Sequence, residues 1–285
     1  MKLATFIKDT APELGIVLDS RVVSISRAAP RLAGDMVALI RTWPESEREL
    51  RRIAAEGAHA FSLSDVRLKA PIARPGKIMA IGLNYADHIE ESGQAKPERQ
   101  IWFSKMPTSV NGPFDPIVIA RTGQAVDYEA ELVAVIGSGG RHLSKANAPS
   151  AVFGYCCGND VSERNWQFRS TQWVLGKSFD THAPIGPWIT TADEVGEPHR
   201  LAIKCFVNGE KRQDSNTKHL IFSLWDQIEE LSQVMTLEPG DIIFTGTPGG
   251  VGAAFKPPKF VKPADRVRVE IESLGAIEAT CVAEE

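Results

Sequence analysis

Asp127-Tyr-Glu-Ala-Glu-Leu-Val-Ala-Val-Ile-Gly137 places two glutamates at the start of an apolar, β-branched run that is typical of a buried strand. Residues i and i+2 of a strand point to one face, about 7 Å apart, so Glu129 and Glu131 should share a side. Val133 and Val135 continue that side and are expected in the core. Because burying two like charges without a partner is costly, we predict a divalent cation between them.

A third carboxylate, Asp160, follows another apolar segment in the pair Asn159-Asp160. Glu129, Glu131 and Asp160 are all oxygen donors, and no His or Cys lies nearby at metal-ligand spacing. Such hard sites suit Mg²⁺ or Mn²⁺, with Ca²⁺ possible, rather than Zn²⁺. The alternative is that the three acids are solvated residues of edge strands, as most Asp and Glu are.

Two further segments carry candidate catalytic groups. His88 and Glu91 are three residues apart in the segment 85–92, which should form a short helix, so both would lie on one face. A carboxylate beside an imidazole orients it and raises its basicity, as a general base requires. Lys177 lies among small and apolar neighbours, where it could stabilise negative charge that develops in a reaction. Solvated ion pairs and a surface lysine are the structural alternatives.

A glycine-rich segment, Thr245-Gly-Thr-Pro-Gly-Gly-Val-Gly252, follows the apolar run 241–244. Its backbone at Gly246 could approach a ligand closely, and the hydroxyl of Thr247 could donate a hydrogen bond. The segment matches neither a P-loop nor a dinucleotide-binding turn, so nucleotide binding is not predicted. No G-x-S-x-G motif supports a serine hydrolase.

Composition narrows the class of protein. The 285 residues carry a net charge of −4 and no long basic run, which argues against nucleic acid as a partner. No apolar stretch approaches the roughly 20 residues that span a bilayer, and the N-terminus does not resemble a secretory signal. The four cysteines show no disulfide-framework or redox spacing. We expect a cytoplasmic protein without a membrane partner.

The chain divides by pattern into two domains. Residues 1–70 read as a small N-terminal α+β domain, in which Pro44 should break a helical stretch. Prolines and a glycine in 69–76 mark the boundary. Residues 71–285 read as one β-rich domain, which includes a hairpin with a turn at Asn208-Gly209.

Taken together, these segments resemble the fumarylacetoacetate hydrolase superfamily over roughly residues 70–285. The motifs that carry the resemblance occur in the expected order and include Gly82-Leu-Asn-Tyr-Ala-Asp-His88 with Glu91, Phe103-Ser-Lys105, the 127–137 segment, Asn159-Asp-Val-Ser162, Arg164-Asn-Trp-Gln167, Leu175-Gly-Lys-Ser-Phe-Asp-Thr181, Val207-Asn-Gly209 with Gln213, and Gly240–Gly252. Within the superfamily the chain looks most like the branch of the fumarylacetoacetate hydrolase domain-containing 2 proteins.

The resemblance implies a mixed β-sandwich or β-roll catalytic domain, a small N-terminal domain and a homodimer. It makes Glu129, Glu131 and Asp160 ligands of Mg²⁺ or Mn²⁺ and leaves Asp127 out. His88, Glu91 and Lys177 become catalytic. The substrate contacts expected in the same pocket are Lys105, Gln167, His182, Gly246 and Thr247. Asn165 and His182 depart from the residues common in the family and leave the substrate open.

These expectations converge on a metal-dependent hydrolase that cleaves a C–C bond in an acylpyruvate or related 1,3-diketo acid. A 2-oxo acid would chelate the metal, which would act as a Lewis acid toward its enolate, and His88 would activate water. Keto–enol tautomerisation or decarboxylation of oxaloacetate, and isomerisation of a hydroxy-dienedioate, are alternatives for the same site. A metal-stabilised scaffold protein without turnover is the alternative from another class.

Overall fold

The structure, a computed structural model, describes residues 1–93 and 95–285. The strands of the first 70 residues are β1 (Lys2–Ile7), β2 (Pro12–Leu18), β3 (Arg21–Ser24), β4 (Ala60–Ser62) and β5 (Arg67–Lys69), and the helices are α1 (Ile25–Ala28), α2 (Met36–Arg41) and α3 (Trp43–Glu56). Pro44 does not break the helical stretch as predicted. It lies in the first turn of α3, where its missing N–H costs nothing, and the interruption falls at Thr42.

Fourteen of the described strands belong to the remainder of the chain. They are β6 (Ile78–Gly82), β7 (Ile101–Ser104), β8 (Val110–Asn111), β9 (Ile117–Ile119), β10 (Val126–Asp127), β11 (Ala130–Ile136), β12 (Val152–Asn159), β13 (Ser162–Glu163), β14 (Ala183–Thr191), β15 (Ala202–Val207), β16 (Glu210–Asn216), β17 (Ile242–Phe244), β18 (Arg266–Ile271) and β19 (Gly275–Ala283). The helices are α4 (Ala86–Ser92), α5 (Ala148–Ala151), α6 (Arg164–Gln167), α7 (Val174–Lys177), α8 (Ala192–Val195) and α9 (Leu224–Val234).

Local signals explain several of these elements. α9 begins after a capping box in which the side chains of Ser223 and Asp226 bond to each other's backbone N–H. α4 ends at Gly93, whose φ of 65° is the left-handed conformation that glycine adopts readily. The predicted hairpin is confirmed: Asn208 and Gly209 both have positive φ between β15 and β16, as a tight hairpin turn requires.

Two sheets form the body of the molecule. The large sheet has 12 strands, with the order β4-β3-β2-β1-β14-β12-β11-β17-β6-β7 and with β5 and β8 attached to β1 and β14. The second sheet has five strands, in the order β16-β15-β18-β19-β9. A hydrophobic cluster joins Leu132 and Cys157 of the large sheet to Ile203, Val269 and Ile277 of the second. The two sheets therefore pack as a sandwich, and the predicted β-rich α+β class is confirmed.

The other face of the large sheet packs against the N-terminal helices. Val133 and Val135 of β11 share a cluster with Leu39, Leu50 and Ile53 of α2 and α3. The prediction that both valines belong to the core is confirmed. Since β1 pairs with β14, strands of both segments form one sheet, and the division into domains 1–70 and 71–285 stays a prediction.

Two properties of the chain concern its surroundings. Within residues 1–93 and 95–285, no helix combines the length and apolarity needed to cross a bilayer. All four cysteines (Cys156, Cys157, Cys205 and Cys281) are buried and carry free thiols.

Candidate active site

The pairing of β11 with β12 brings the three predicted metal ligands together. The two strands are antiparallel, with Ala130 opposite Asn159. The backbone N–H of Asp160 donates to the carbonyl of Glu129 at 2.8 Å, and the Asn159 side chain accepts from the Glu129 N–H at 3.0 Å. As a result, carboxylate oxygens of Glu129, Glu131 and Asp160, all buried, lie within 4.8 Å of one another.

The segment after β17 closes one side of this cluster. The Gly246 N–H donates to Glu131 Oε2 at 2.7 Å, and the Thr247 hydroxyl donates to the carbonyl of Ala130 at 3.0 Å. Gly246 has a φ of 107°, and a Cβ there would lie 2.7 Å from the Cβ of Asn84. Glycine is needed at this position because both the backbone conformation and the space exclude a side chain.

Two buried lysines hold Asp160 from opposite sides. Lys177 Nζ lies 2.7 Å from Glu129 Oε2 and 2.6 Å from Asp160 Oδ2. Lys105 Nζ lies 2.6 Å from the other oxygen, Oδ1, and 3.2 Å from the carbonyl of Val161. Lys105 is 1% exposed, so the structure places this residue, predicted to contact substrate, behind Asp160 as its counter-ion.

Arg164 completes the charge network from a third side. Its Nη2 lies 2.7 Å from Glu129 Oε1 and 2.8 Å from Asp127 Oδ2. Asp127 also accepts hydrogen bonds from the N–H groups of Gly252 and Ala253, at 2.7 and 2.9 Å. Sequence reasoning did not include Arg164 or Asp127 among the site residues. Asp127 lies two residues before Glu129, so the same two-residue strand spacing was the signal that could have found it.

The charges of the cluster fit a divalent cation. Burial, together with Asp160 and Glu129, raises the pKa of Glu131 well above its usual value. Burial also favours neutral Glu129, but Lys177 and Arg164 lower its pKa overall. The cluster has four buried carboxylates and three buried cations. The carboxylates are Asp127, Glu129, Glu131 and Asp160, and the cations are Lys105, Arg164 and Lys177. The set is short of positive charge at Glu131, and a hard dication would supply it.

The predicted catalytic pair lies on α4, and both side chains line the same cavity as Glu129 and Glu131. His88 Nδ1 is 3.8 Å from Glu91 Oε2, which is an ion-pair distance and too long for a hydrogen bond. Glu91 Oε2 also accepts from the Gly250 N–H at 2.8 Å. Partial burial raises the pKa of Glu91, but His88 and the Gly250 N–H outweigh it and leave that pKa below its usual value. Asp87, next to His88, accepts from the Ser215 hydroxyl at 2.6 Å.

One cavity of about 360 Å³ brings these groups to a common space. The predicted site residues that line it are His88, Glu91, Glu129, Glu131, Gln167, Lys177 and Thr247. Its other walls include Leu83, Phe103, Arg164, Phe168, Trp173, Val251, Ala253, Ala254 and Lys256. The lining does not include Asp160, Lys105, Gly246 or His182. Asp160 and Gly246 contact the lining residues Lys177 and Glu131, and Lys105 lies one contact further away, behind Asp160.

His182, predicted to contact substrate, is packed away from the cavity. It is fully buried and stacks on Phe179 with ring centroids 5.3 Å apart. Its Nε2 lies 3.0 Å from the carbonyl of Val118, to which it donates. Burial, with the nearby charge of Lys105, lowers the pKa of His182 to about 3, which keeps the ring neutral. From this position we assign His182 a packing role. Asn165 is exposed.

Comparison with known proteins confirms the family resemblance that the sequence motifs indicate. The family model described as fumarylacetoacetate (FAA) hydrolase C-terminal matches residues 77–282. The chain belongs to the fumarylacetoacetate hydrolase family. Curated relatives include the mitochondrial oxaloacetate tautomerase Fahd2a of Rattus norvegicus, 42% identical over 90% of this chain and 82% of that protein. The human mitochondrial oxaloacetate tautomerase FAHD2A is 41% identical over 93% of this chain and 86% of its own length.

Solved structures of fumarylacetoacetate hydrolase relatives match the whole chain. Maleylpyruvate hydrolase from Sphingobium sp. SYK-6 has a TM-score of 0.85 and 34% identity, with 100% of both chains covered. The same enzyme in complex with manganese(II) and pyruvate gives a TM-score of 0.84 and 33% identity, again with 100% of both chains covered. The 2-hydroxyhepta-2,4-diene-1,7-dioate isomerase from Mycobacterium marinum has a TM-score of 0.78 and 30% identity, with 100% of this chain and 99% of that chain covered. These relatives are enzymes, which favours turnover over the scaffold alternative.

Proposed function

We propose that this protein is a divalent-metal-dependent enzyme that interconverts the keto and enol forms of a 2-oxo acid, with oxaloacetate as the leading substrate. The observation that carries the proposal is the buried cluster of Glu129, Glu131 and Asp160 oxygens within 4.8 Å, beside a cavity that also contains His88. Relatives 41–42% identical over most of the chain are named oxaloacetate tautomerases, which supports this choice of substrate.

The donor set favours Mg²⁺ or Mn²⁺, with Ca²⁺ as a weaker candidate, because all three ligands are carboxylates. The complex of a related maleylpyruvate hydrolase with manganese(II) and pyruvate supports Mn²⁺ in particular. A dication bound by Glu129, Glu131 and Asp160 would supply Lewis-acid stabilisation of the charge that develops on the 2-oxo oxygen.

The protein's own residues move the proton and hold the developing charge. His88 lines the cavity and, oriented by Glu91, takes a proton from the carbon next to the 2-oxo group and passes it to the 2-oxo oxygen to form the enol; the reverse transfer restores the keto form. Although burial favours a neutral amine, Asp160 and Glu129 raise the pKa of Lys177, so it stays charged. Its ammonium faces the cavity and stabilises the enolate oxygen.

The remaining polar groups of the lining orient the substrate. Gln167 accepts from Arg164 Nη1 at 2.8 Å, which leaves its amide N–H groups available for a substrate oxygen. The Thr247 hydroxyl accepts from Gln213 at 2.8 Å while donating to the Ala130 carbonyl. Thr247 is therefore held rigidly beside Glu131 and can accept one further hydrogen bond.

Hydrolysis of a C–C bond in an acylpyruvate or related diketo acid is the second candidate. It is favoured by the His88–Glu91 pair, which could activate water as well as move a proton, and by the solved maleylpyruvate hydrolase. Both reactions pass through the same enolate, so the products distinguish them. Tautomerisation changes only ultraviolet absorbance, hydrolysis gives two acids, and decarboxylation of oxaloacetate would release CO₂.

The test is an ultraviolet assay of oxaloacetate enol conversion with chelator-treated protein, with and without added Mn²⁺ or Mg²⁺. We expect turnover only with metal, and a strong loss in Glu91→Gln. The matched control is Glu90→Gln, because Glu90 carries the same charge on the same helix but is exposed and outside the cavity lining. Turnover that chelator does not affect, or equal loss in the two variants, would contradict the proposal. Acylpyruvates assayed in parallel test the second candidate.

We also propose that the protein acts in the cytoplasm as a homodimer. Exposed apolar side chains of Met106, Phe168 and Leu175, 43%, 64% and 54% exposed, support association. They belong to neighbouring segments, because the Met106 N–H donates to Ser178 and α6 contacts α7. Light scattering should give twice the chain mass, and the chain mass itself would contradict the dimer.

A further inference from the structure

Lys256 differs from the other cations of the cavity. Lys177 and Arg164 are both committed to buried carboxylates, at 2.6–2.8 Å. Lys256 lines the same cavity but is exposed, and among the described residues it has neither an ion pair nor a hydrogen bond. Unlike Lys177, Lys256 therefore has no protein carboxylate as a partner, and its charge is not neutralised within the described residues.

The segment that carries Lys256 is held in place from several directions. Asp127 accepts the N–H groups of Gly252 and Ala253, and the Lys259 N–H donates to the carbonyl of Gly252 at 2.9 Å. Phe255 lies under two cations, with Lys259 Nζ 4.6 Å and the Arg212 guanidinium 5.3 Å from its ring centroid. The base of the Lys256 side chain is therefore fixed, and only its flexible stem has to be ordered by a ligand.

The wall near Lys256 is apolar. Val251, Ala253 and Ala254 come from the same segment, and Phe168, 64% exposed, lines the cavity with them. Such a wall suits the carbon chain of a ligand whose 2-oxo acid end lies at the carboxylate cluster. A terminal carboxylate at the far end of that chain would then meet the unpaired ammonium of Lys256.

We propose that Lys256 selects 2-oxo acids that carry a second carboxylate, by binding that distal carboxylate at the edge of the cavity. The inference rests on the proposed function, since it assumes that the 2-oxo acid end binds at the cluster. It predicts that the protein prefers 2-oxo acids with a second carboxylate to 2-oxo acids that end in a methyl group. Lys256 is a specificity residue here, because the distal carboxylate neither gains nor loses a proton in enolisation.

The experiment pairs two ligands with two lysines. 2-Oxoglutarate and 2-oxopentanoate have the same five-carbon chain, and only the first has a distal carboxylate. Their dissociation constants are measured by calorimetry on the Mn²⁺-loaded protein, as wild type and as Lys256→Met, Lys256→Arg and Lys259→Met. Lys259 is the matched control, because it lies three residues away with an equal charge but pairs with Glu210 at 3.0 Å and does not line the cavity.

We expect wild type to bind the diacid about fivefold more tightly, the range of a partly exposed ion pair. Lys256→Met should bring the ratio near one, while Lys256→Arg and Lys259→Met should preserve most of it. With oxaloacetate, Lys256→Met should raise KM and leave kcat nearly unchanged, since the contact is equal in ground and transition states.

Two results would contradict the role of Lys256 but not the proposed function. One is a wild-type protein that binds 2-oxoglutarate and 2-oxopentanoate equally tightly. The other is an equal loss of preference for 2-oxoglutarate in Lys256→Met and Lys259→Met, which would indicate only a general effect of positive charge. Failure of both acids to bind the Mn²⁺-loaded wild type would overturn the proposed function, and the role of Lys256 with it.

Discussion

The two halves of the cavity are built in different ways. On the carboxylate side, Glu129, Glu131 and Asp160 are at most 5% exposed, and Glu129 and Asp160 are ion-paired with buried cations. On the helix side, the His88 and Glu91 side chains are 14% and 30% exposed. α4 has only seven residues and is tied to the body of the protein by individual hydrogen bonds, such as Asp87 with Ser215.

Under the proposed function, the two sides would have different roles in catalysis. The carboxylate side lies between central strands of a large sheet, so its ligands are positioned before any ion or substrate binds. We expect the helix side to open at lower cost, because local opening would break a few hydrogen bonds and expose Ile89 but leave the central strands paired. Mutations that break the buried ion pairs should therefore lower global stability, whereas mutations on the helix side should lower the rate with little change in global stability.

The largest effect is expected from Glu131→Gln on the carboxylate side. Loss of one metal ligand should reduce the rate at least about thousandfold, equivalent to about 4 kcal/mol. Because the pKa of Glu131 is raised well above its usual value without metal, the neutral amide should change the unfolding free energy of the chelated protein by less than about 1 kcal/mol. Steady-state kinetics and urea unfolding check the two parts. A large loss of stability would show that Glu131 is ionised without metal.

Glu129→Gln should behave differently at a position two residues away. Lys177 and Arg164 both lose a charged acceptor that lies 2.7 Å away. Breaking a buried ion pair lowers the free energy of unfolding by about 3 kcal/mol or more. We expect the lower value, because Lys177 keeps Asp160 and Arg164 keeps Asp127 as partners. Urea unfolding in chelator measures the change. Stabilities that match between Glu129→Gln and Glu131→Gln would contradict the described charge network.

On the helix side, His88→Asn should lower the rate about a hundredfold and leave stability within about 0.5 kcal/mol of wild type. The reason is that His88 Nδ1 makes no hydrogen bond whose loss would destabilise the fold. His142→Asn is the control, since His142 is an exposed histidine paired with Gln233. Nearly normal activity in His88→Asn would assign the proton transfer to another group.

Ser215→Ala tests the tether of α4. It removes the 2.6 Å hydrogen bond to Asp87, which should weaken the closed position of the helix by about 1 kcal/mol. We expect a rate loss of about fivefold, faster hydrogen exchange in residues 86–93 and an unchanged midpoint of global unfolding. Ser64→Ala, an exposed serine in the N-terminal segment, should change none of the three. Unchanged exchange in α4 would mean that the tether does not hold it.

The smallest effect concerns acid pH. His88 and the Gly250 N–H lower the pKa of Glu91 below its usual 4.5, despite the opposing effect of burial. A lowered folded-state pKa contributes stability that is complete above the unfolded value and is lost as pH falls through the folded one. Hydrogen exchange in α4, corrected for its intrinsic pH dependence, should therefore increase below pH 4.5 in wild type. The increase should be absent in Glu91→Gln, and an equal increase in both would exclude this cause.

Much of the fold and of the candidate metal site followed from local sequence patterns. The strand character of 127–137 and the two-residue spacing of its glutamates were enough to predict where Glu129 and Glu131 lie. The turn at Asn208-Gly209 is equally local, because positive φ at both positions favours those residue types.

The cations that pair with the carboxylates could not be predicted from local sequence patterns, because they are distant in the chain. Lys105 is 55 residues from Asp160, and Arg164 is 37 residues from Asp127. A single sequence records residue types but not which strands become neighbours, so Lys105 was predicted to contact substrate. His182 illustrates the same limit, since its burial depends on Val118 and Phe179.

The most direct test is the anomalous diffraction of Mn²⁺ in crystals of the wild-type protein soaked with the ion. We predict one strong peak about 2.1 Å from an oxygen of each of Glu129, Glu131 and Asp160, and its loss in Glu131→Gln. A wild-type map without a peak among these three side chains, or with the ion bound elsewhere, would contradict the metal-dependent chemistry proposed for this cavity.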